Sequence, residues 1–204
     1  MTMTLHSPQV HGFFSVPTDP LTARMLFIDY LNNRFAQLGS AYHPENTVIV
    51  APDYGRASSA ARLGETLGIS SLSAEKRRIS DTKVEISPLI LRQVRGFKRA
   101  IIYDDEIASG NSVIELCYKL VEGGIQEIWI VCVHGLFVLN ALQRILALPQ
   151  VVEVITTDSC PQRKDEPRLK VLSVAPVIGE AIRRNISHQS IGDLFAYGVQ
   201  EGNE

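Results

Sequence analysis

At 204 residues, 45% of them hydrophobic and 21% charged, the chain has the size and composition of a globular protein with one substantial core. A net charge of −2 and a pI near 6.2 supply no general field for nucleic acid or a membrane, so any polyanion has to meet a local basic cluster. Cys117, Cys132 and Cys160 are odd in number and widely spaced, which argues against a disulfide framework or a zinc site and for core thiols in a reducing cytoplasm. No apolar run or signal-peptide core suggests membrane insertion or export.

Along the chain, residues 1–19 read as an irregular lead-in, 20–195 as the domain proper and 196–204 as a frayed tail. A helix is predicted after Pro20, with Leu21, Met25, Ile28, Leu31, Phe35 and Leu38 as its apolar stripe. Residues 47–51 form a β-rich run that empties into Pro52-Asp53-Tyr54-Gly55 before a helix ending near Gly68. Residues 71–81 read as a mobile polar loop and Lys83 to Ser87 as a strand. Strand 99–104, helix 110–123, strand 127–133, helix 137–147, strand 151–157 and helix 174–186 complete the alternation. Such repetition predicts an α/β fold: a single mostly parallel sheet with helices on both faces. Ligands of such sheets lie beyond the carboxyl ends of the strands, where the loops starting at Asp53, Asp104, His134 and Thr156 emerge.

Two of these loops carry chemistry. Asp104 and Asp105 follow the apolar Ile101-Ile102-Tyr103, and Ala108-Ser109-Gly110-Asn111-Ser112 then opens a helix marked by Val113, Leu116, Cys117 and Leu120. The turn would aim N–H groups and hydroxyls at an anion, whereas the acids repel a phosphate and seek hydroxyl donors or a metal ion. A ribose 5-phosphate offers both ends; the alternative is an ordinary loop capped by Asp105 or Ser109. At Asp53-Tyr54-Gly55-Arg56 the acid could hold Mg²⁺ while the following N–H groups hold a diphosphate, or Asp53 or Ser58 could simply cap the helix. Lys76-Arg77-Arg78 is either a solvated cationic surface or a loop that closes over polyphosphate.

The acid pair and its turn resemble the ribose-phosphate loop of the type I phosphoribosyltransferase fold, with Ser109 and Ser112 where threonines are usual and Asn111 where glycine is common. The segment Leu5-His6-Ser7-Pro8-Gln9-Val10-His11-Gly12-Phe13-Phe14 is similar to the start of the carboxyl-terminal half of the ribose-phosphate pyrophosphokinases, as are the Pro-Asp-x-Gly run at Asp53 and the Lys-x-Arg of Lys76 and Arg78. Val133-His134-Gly135-Leu136-Phe137, Thr156 to Pro161 and Leu172 to Pro176 extend the likeness from Leu5 to Phe195. For His134 and Asp158 taken singly, helix capping and loop packing is the preferred reading.

The resemblance implies transfer of the diphosphate of MgATP to ribose 5-phosphate, giving phosphoribosyl pyrophosphate. It assigns Lys76 and Arg78 to catalysis and Asp104, Asp105, Ala108, Ser109, Gly110, Asn111 and Ser112 to ribose 5-phosphate. Asp53, Tyr54, Gly55 and Arg56 go to diphosphate, and His6 with Asp53 to Mg²⁺. The amino-terminal half of the family, which contributes to the ATP site, has no counterpart here. The family's self-association implies a homo-oligomer, and the missing half allows a hetero-oligomer with a protein that supplies it. A ribose-phosphate-binding relative without catalysis, and a phosphoribosyltransferase consuming phosphoribosyl pyrophosphate, are the competing readings.

Overall fold

A computed structural model describes residues 1–78, 84–162 and 165–195. Its centre is a six-stranded, wholly parallel sheet of β3 (Thr47–Ala51), β4 (Ser70–Ser73), β7 (Arg99–Ile107), β8 (Glu127–Gly135), β9 (Val151–Thr157) and β10 (Leu169–Leu172), in the order β10-β9-β8-β7-β3-β4. Two short pairs stand apart: parallel β1 (Thr2–Met3) with β2 (Pro20–Leu21), and antiparallel β5 (Lys76–Arg78) with β6 (Val84–Ile86).

Strand alternation divides the core into two layers. On one face Ile49 and Ala51 of β3, Ile101 and Tyr103 of β7 and Trp129, Val131 and Val133 of β8 meet α1 (Arg24–Leu38) and α2 (Ala57–Leu67). On the other, Val48, Val50, Ala100, Ile102, Ile128, Ile130 and Cys132 meet α3 (Leu89–Gln93), α4 (Asn111–Glu122) and α5 (Ala141–Leu146). The last helix, α6 (Ala175–Ile186), follows β10. Burial on both faces explains the near-continuous apolar runs of β3 and β8, the pattern of a parallel sheet. No helix among the described residues is long and apolar enough to cross a membrane.

Several elements depart from their predicted bounds. The loop expected over 71–81 contains β4 and β5: Ser70-Ser71-Leu72-Ser73 lacks β-branched residues but pairs with Val48 to Ala51 as the sheet's edge strand. The first helix begins at Arg24, Leu21 belongs to β2, and Phe27 is buried where Met25 is exposed. Strand β7 runs to Ile107, three residues past its predicted end at Asp104, so Asp105 lies within the strand instead of after it. The helix predicted over 137–147 starts only at Ala141, because Phe137, Leu139 and Asn140 all have positive φ, a conformation no right-handed helix contains. Residues 79–81 of the predicted loop, Lys83 and the tail at 196–204 lie outside the described residues.

Candidate active site

The order of the strands creates the cleft. From β3 the chain steps outward to β4, then returns past β3 to β7 and continues the other way. The helices following these two central strands consequently pack on opposite faces, α2 with α1 and α4 with α5, and the loops leading to them part at the carboxyl edge of the sheet. A cavity of about 220 Å³ opens there, lined by His6, Asp53, Arg56, Asp104 and Asp105 and by Ala108, Ser109, Gly110 and Ser112 of the following turn, whereas Asn111 is not in its lining and accepts a hydrogen bond from Arg144.

The alternation that sorts the core also separates the acids. Asp105 continues the face of Tyr103 and Asp104 that of Ile102. Asp105 is 4% exposed and its Oδ2 meets Arg56 Nη2 at 2.9 Å and His6 Nδ1 at 2.8 Å. The Nδ1–H of His6 donates to that carboxylate, which leaves Nε2 as the ring's lone-pair nitrogen in the neutral tautomer. Arg56 also donates to the His6 carbonyl, tying the lead-in to the start of α2. Asp104 accepts the N–H of Asp105 at 2.8 Å. Burial, followed by the side-chain hydrogen bond and the repulsion between the two carboxyls, pushes the Asp104 carboxyl up to about 8 against the smaller lowering effect of the Asp105 N–H. At neutral pH it can therefore both donate and accept a hydrogen bond.

The turn after β7 is shaped by Gly110, the residue before α4, at φ 72°. A Cβ there would lie 3.2 Å from both Ala141 Cβ and Ile145 Cδ1, so α5 seats directly against the turn. Around it, the N–H groups of the first turn of α4 precede the helix's own hydrogen-bonding ladder, an arrangement that suits an anion.

Asp53, Tyr54, Gly55 and Arg56 form the approach to α2, Tyr54 to Arg56 as a single 3-10 turn; Tyr54 is exposed and does not line the cleft. Lys76 and Arg78 lie on β5, paired in register with Ile86 and Val84 rather than in an open loop. Among the described residues no cluster of three or more His, Cys, Asp or Glu side chains is arranged as a self-sufficient metal site. A larger cavity, about 280 Å³, lies at the opposite edge of the sheet beside Lys98, Arg99 and Glu127. There Arg99 is engaged with Glu127 Oε2 at 2.6 Å and with the face of Trp129, so the cavity's size does not make it the chemical centre.

Residues 70–196 match the family model described as the phosphoribosyl synthetase-associated domain. The chain belongs to this family. A Streptomyces coelicolor protein provisionally named a ribose-phosphate pyrophosphokinase is 41% identical over 197 residues, which are 96% of this chain and 59% of that protein. The ribose-phosphate pyrophosphokinase of Thermotoga maritima is 35% identical over 195 residues, again 96% of this chain and 59% of the relative. Among solved structures, the phosphoribosylpyrophosphate synthetase of Mycobacterium smegmatis superposes with a TM-score of 0.74 at 30% identity, covering 91% of this chain and 58% of that one. This member of the phosphoribosyl synthetase-associated family thus spans somewhat under two thirds of the length of the relatives it matches.

Within this phosphoribosyl synthetase-associated chain, His134 at the end of β8 has a part that sequence reasoning missed. Its Nε2–H donates to the carbonyls of Thr4 at 2.9 Å and Met3 at 3.1 Å, while Nδ1 accepts from Ser159 Oγ at 2.8 Å. The ring thereby fastens the lead-in two residues before His6. The partners lie 130 and 131 positions away, so no local pattern in the sequence marks the pairing. Asp158 does what its preferred reading expected: its Oδ1 accepts the Val174 N–H at 2.8 Å and closes the approach to α6.

Proposed function

We propose that the chain is the ribose 5-phosphate half of a ribose-phosphate pyrophosphokinase, transferring diphosphate from MgATP to ribose 5-phosphate together with a partner that completes the ATP site. The observation that carries this is the cleft at the reversal of strand order, which holds a carboxyl pair and an anion-seating turn side by side. Asp104 and Asp105 take the ribose hydroxyls, one donating and accepting and the other accepting. Ala108, Ser109, Gly110, Asn111 and Ser112 take the 5-phosphate.

In the reaction the anomeric oxygen of ribose 5-phosphate forms a bond to the β-phosphorus of ATP, the bond from that phosphorus to the α-phosphate oxygen breaks, and AMP leaves as the hydroxyl proton is lost. Such transfers depend on positioning and charge stabilisation. Lys76 and Arg78 supply the positive charge, and Asp53 and Arg56, with the backbone of Tyr54 and Gly55 between them, border the diphosphate. Magnesium fits the donor set, because His6 keeps Nε2 for a metal, Asp53 is a hard oxygen donor in the same cleft, and Mg²⁺ needs few protein ligands when phosphates supply the rest. His6 and Asp53 would hold it, and the bound ion would neutralise charge on the phosphate oxygens.

The test is AMP formation from ribose 5-phosphate and MgATP by the chain with its partner. Lys76→Ala is expected to lower the rate by about 10²-fold or more, the range seen when one transition-state donor is removed. Binding of ribose 5-phosphate with no AMP formed under any combination would replace the transferase reading with that of a binding protein. Pyrophosphate release from phosphoribosyl pyrophosphate on addition of a nucleobase would replace it with a phosphoribosyltransferase.

A further inference from the structure

The turn between β7 and α4 is held from outside by one side chain of α5. The Arg144 guanidinium spans it, with Nη1 donating to the Ser109 carbonyl at 3.2 Å and Nη2 to Asn111 Oδ1 at 2.8 Å. These acceptors flank Gly110, whose left-handed backbone rests against Ala141 and Ile145 of the same helix. Helix α5 therefore grips the turn at three consecutive residues: by packing at Gly110 and by a two-pronged polar clasp on either side.

The clasp has two physical consequences. Drawing the Ser109 carbonyl and the Asn111 amide oxygen toward Arg144 engages the two acceptors that would otherwise repel an incoming phosphate, leaving the N–H groups of the turn to face the cleft. It also sets a full positive charge behind the anion seat, on an arm anchored by the buried Ala141, Leu142 and Ile145. A planar guanidinium can serve two acceptors in fixed geometry where an ammonium acts as a point charge.

We infer that Arg144 is the positioning residue of the phosphate turn, fixing it in the conformation that selects a sugar carrying a terminal phosphate. This rests on the reading of residues 108–112 as the seat of the 5-phosphate. Arg144 does not touch the reacting atoms; it acts through Ser109 and Asn111.

Calorimetric titration of ribose 5-phosphate into the full chain and into Arg144→Ala and Arg144→Lys tests it, with the melting temperature of each protein measured before ligand is added. Removing both bonds to the turn is expected to weaken ribose 5-phosphate binding about tenfold. Arg144 is exposed, so the unliganded melting temperature should stay within about 2 °C of the parent. Lysine keeps the charge without the two-pronged geometry and should stay within about threefold of the alanine variant. Equal affinity of the parent and Arg144→Ala, or full recovery in Arg144→Lys, would overturn the clasp while leaving the ribose phosphate site standing. If the parent itself binds no ribose 5-phosphate, the reading of the turn falls, and with it the functional proposal.

Discussion

Asp104 and Asp105 are neighbours in sequence, yet the strand turns them to opposite faces and into unlike surroundings. Asp105 is met by Arg56 and His6, whereas Asp104 is desolvated beside another carboxyl and is held near 8. Between its ordinary value of 3.8 and about 8, Asp104 keeps in the folded state a proton that the unfolded chain has lost. The sign follows: its contribution is fully favourable below the lower value and is lost as pH rises through the upper one. Asp104→Asn retains the shape and removes the titration, so it is expected to melt higher than the parent at pH 8, with the two melting temperatures converging near pH 4. His134 supplies a second residue-scale expectation. His134→Ala removes the donor to Thr4 and Met3 and should cost about 1–3 kcal/mol, with faster hydrogen exchange at the Thr2 and Thr4 amides that pair with Asp19 and Leu21. The chemical type of these residues could be read from the sequence. Their partners could not, because His6 meets Asp105 across 99 positions.

At the scale of elements, hydrophobic pattern was a sound guide wherever burial was two-sided. The bounds of β3 and β9 were legible to the residue: β3 is buried throughout and largely apolar, and β9 is rich in β-branched residues although Val152 is exposed and Glu153 interrupts it. Strand β4 was not legible, since an edge strand of three serines and a leucine owes its conformation to pairing with β3. The late start of α5 also has a cause that no pattern shows: the left-handed residues Phe137, Leu139 and Asn140 re-aim the chain so that α5 can pack against the turn at Gly110. Helix α4 depends on that same junction. Gly110→Ala would force a Cβ into an unfavourable φ and against Ala141 and Ile145, with an expected loss of about 1–3 kcal/mol of unfolding free energy, measured by denaturant titration. In the body of α4, Leu116→Ala would leave a cavity under the sheet and should cost about 2–5 kcal/mol.

For the whole molecule, the reversal of strand order between β3 and β7 makes a complete carboxyl-edge cleft within this chain. The chain nevertheless spans only about 59% of its relatives' length. Under the proposed function these two facts separate binding from turnover. Ribose 5-phosphate should bind to the isolated chain, with no dependence on any partner. AMP formation should rise in step with an added protein that carries the remaining portion. Calorimetry and an AMP assay on the same preparation check both, and turnover by the isolated chain at its full rate would show that no partner is needed.

Sequence by itself determined the two-sided parallel α/β class, the strand-loop-helix units at Asp53 and Asp104, and the chemical groups each unit offers. Those properties depend on the residue-by-residue alternation of apolar and polar groups, which is local. Only the tertiary structure decided which units adjoin: that Arg56 and His6 converge on Asp105, that Asp104 has no ion-pair partner among the described residues, that His134 anchors the lead-in and that Arg144 clasps the turn. Strand order is settled by how layers of helices bury their faces against a shared sheet, and that long-range packing leaves no periodic mark in the chain.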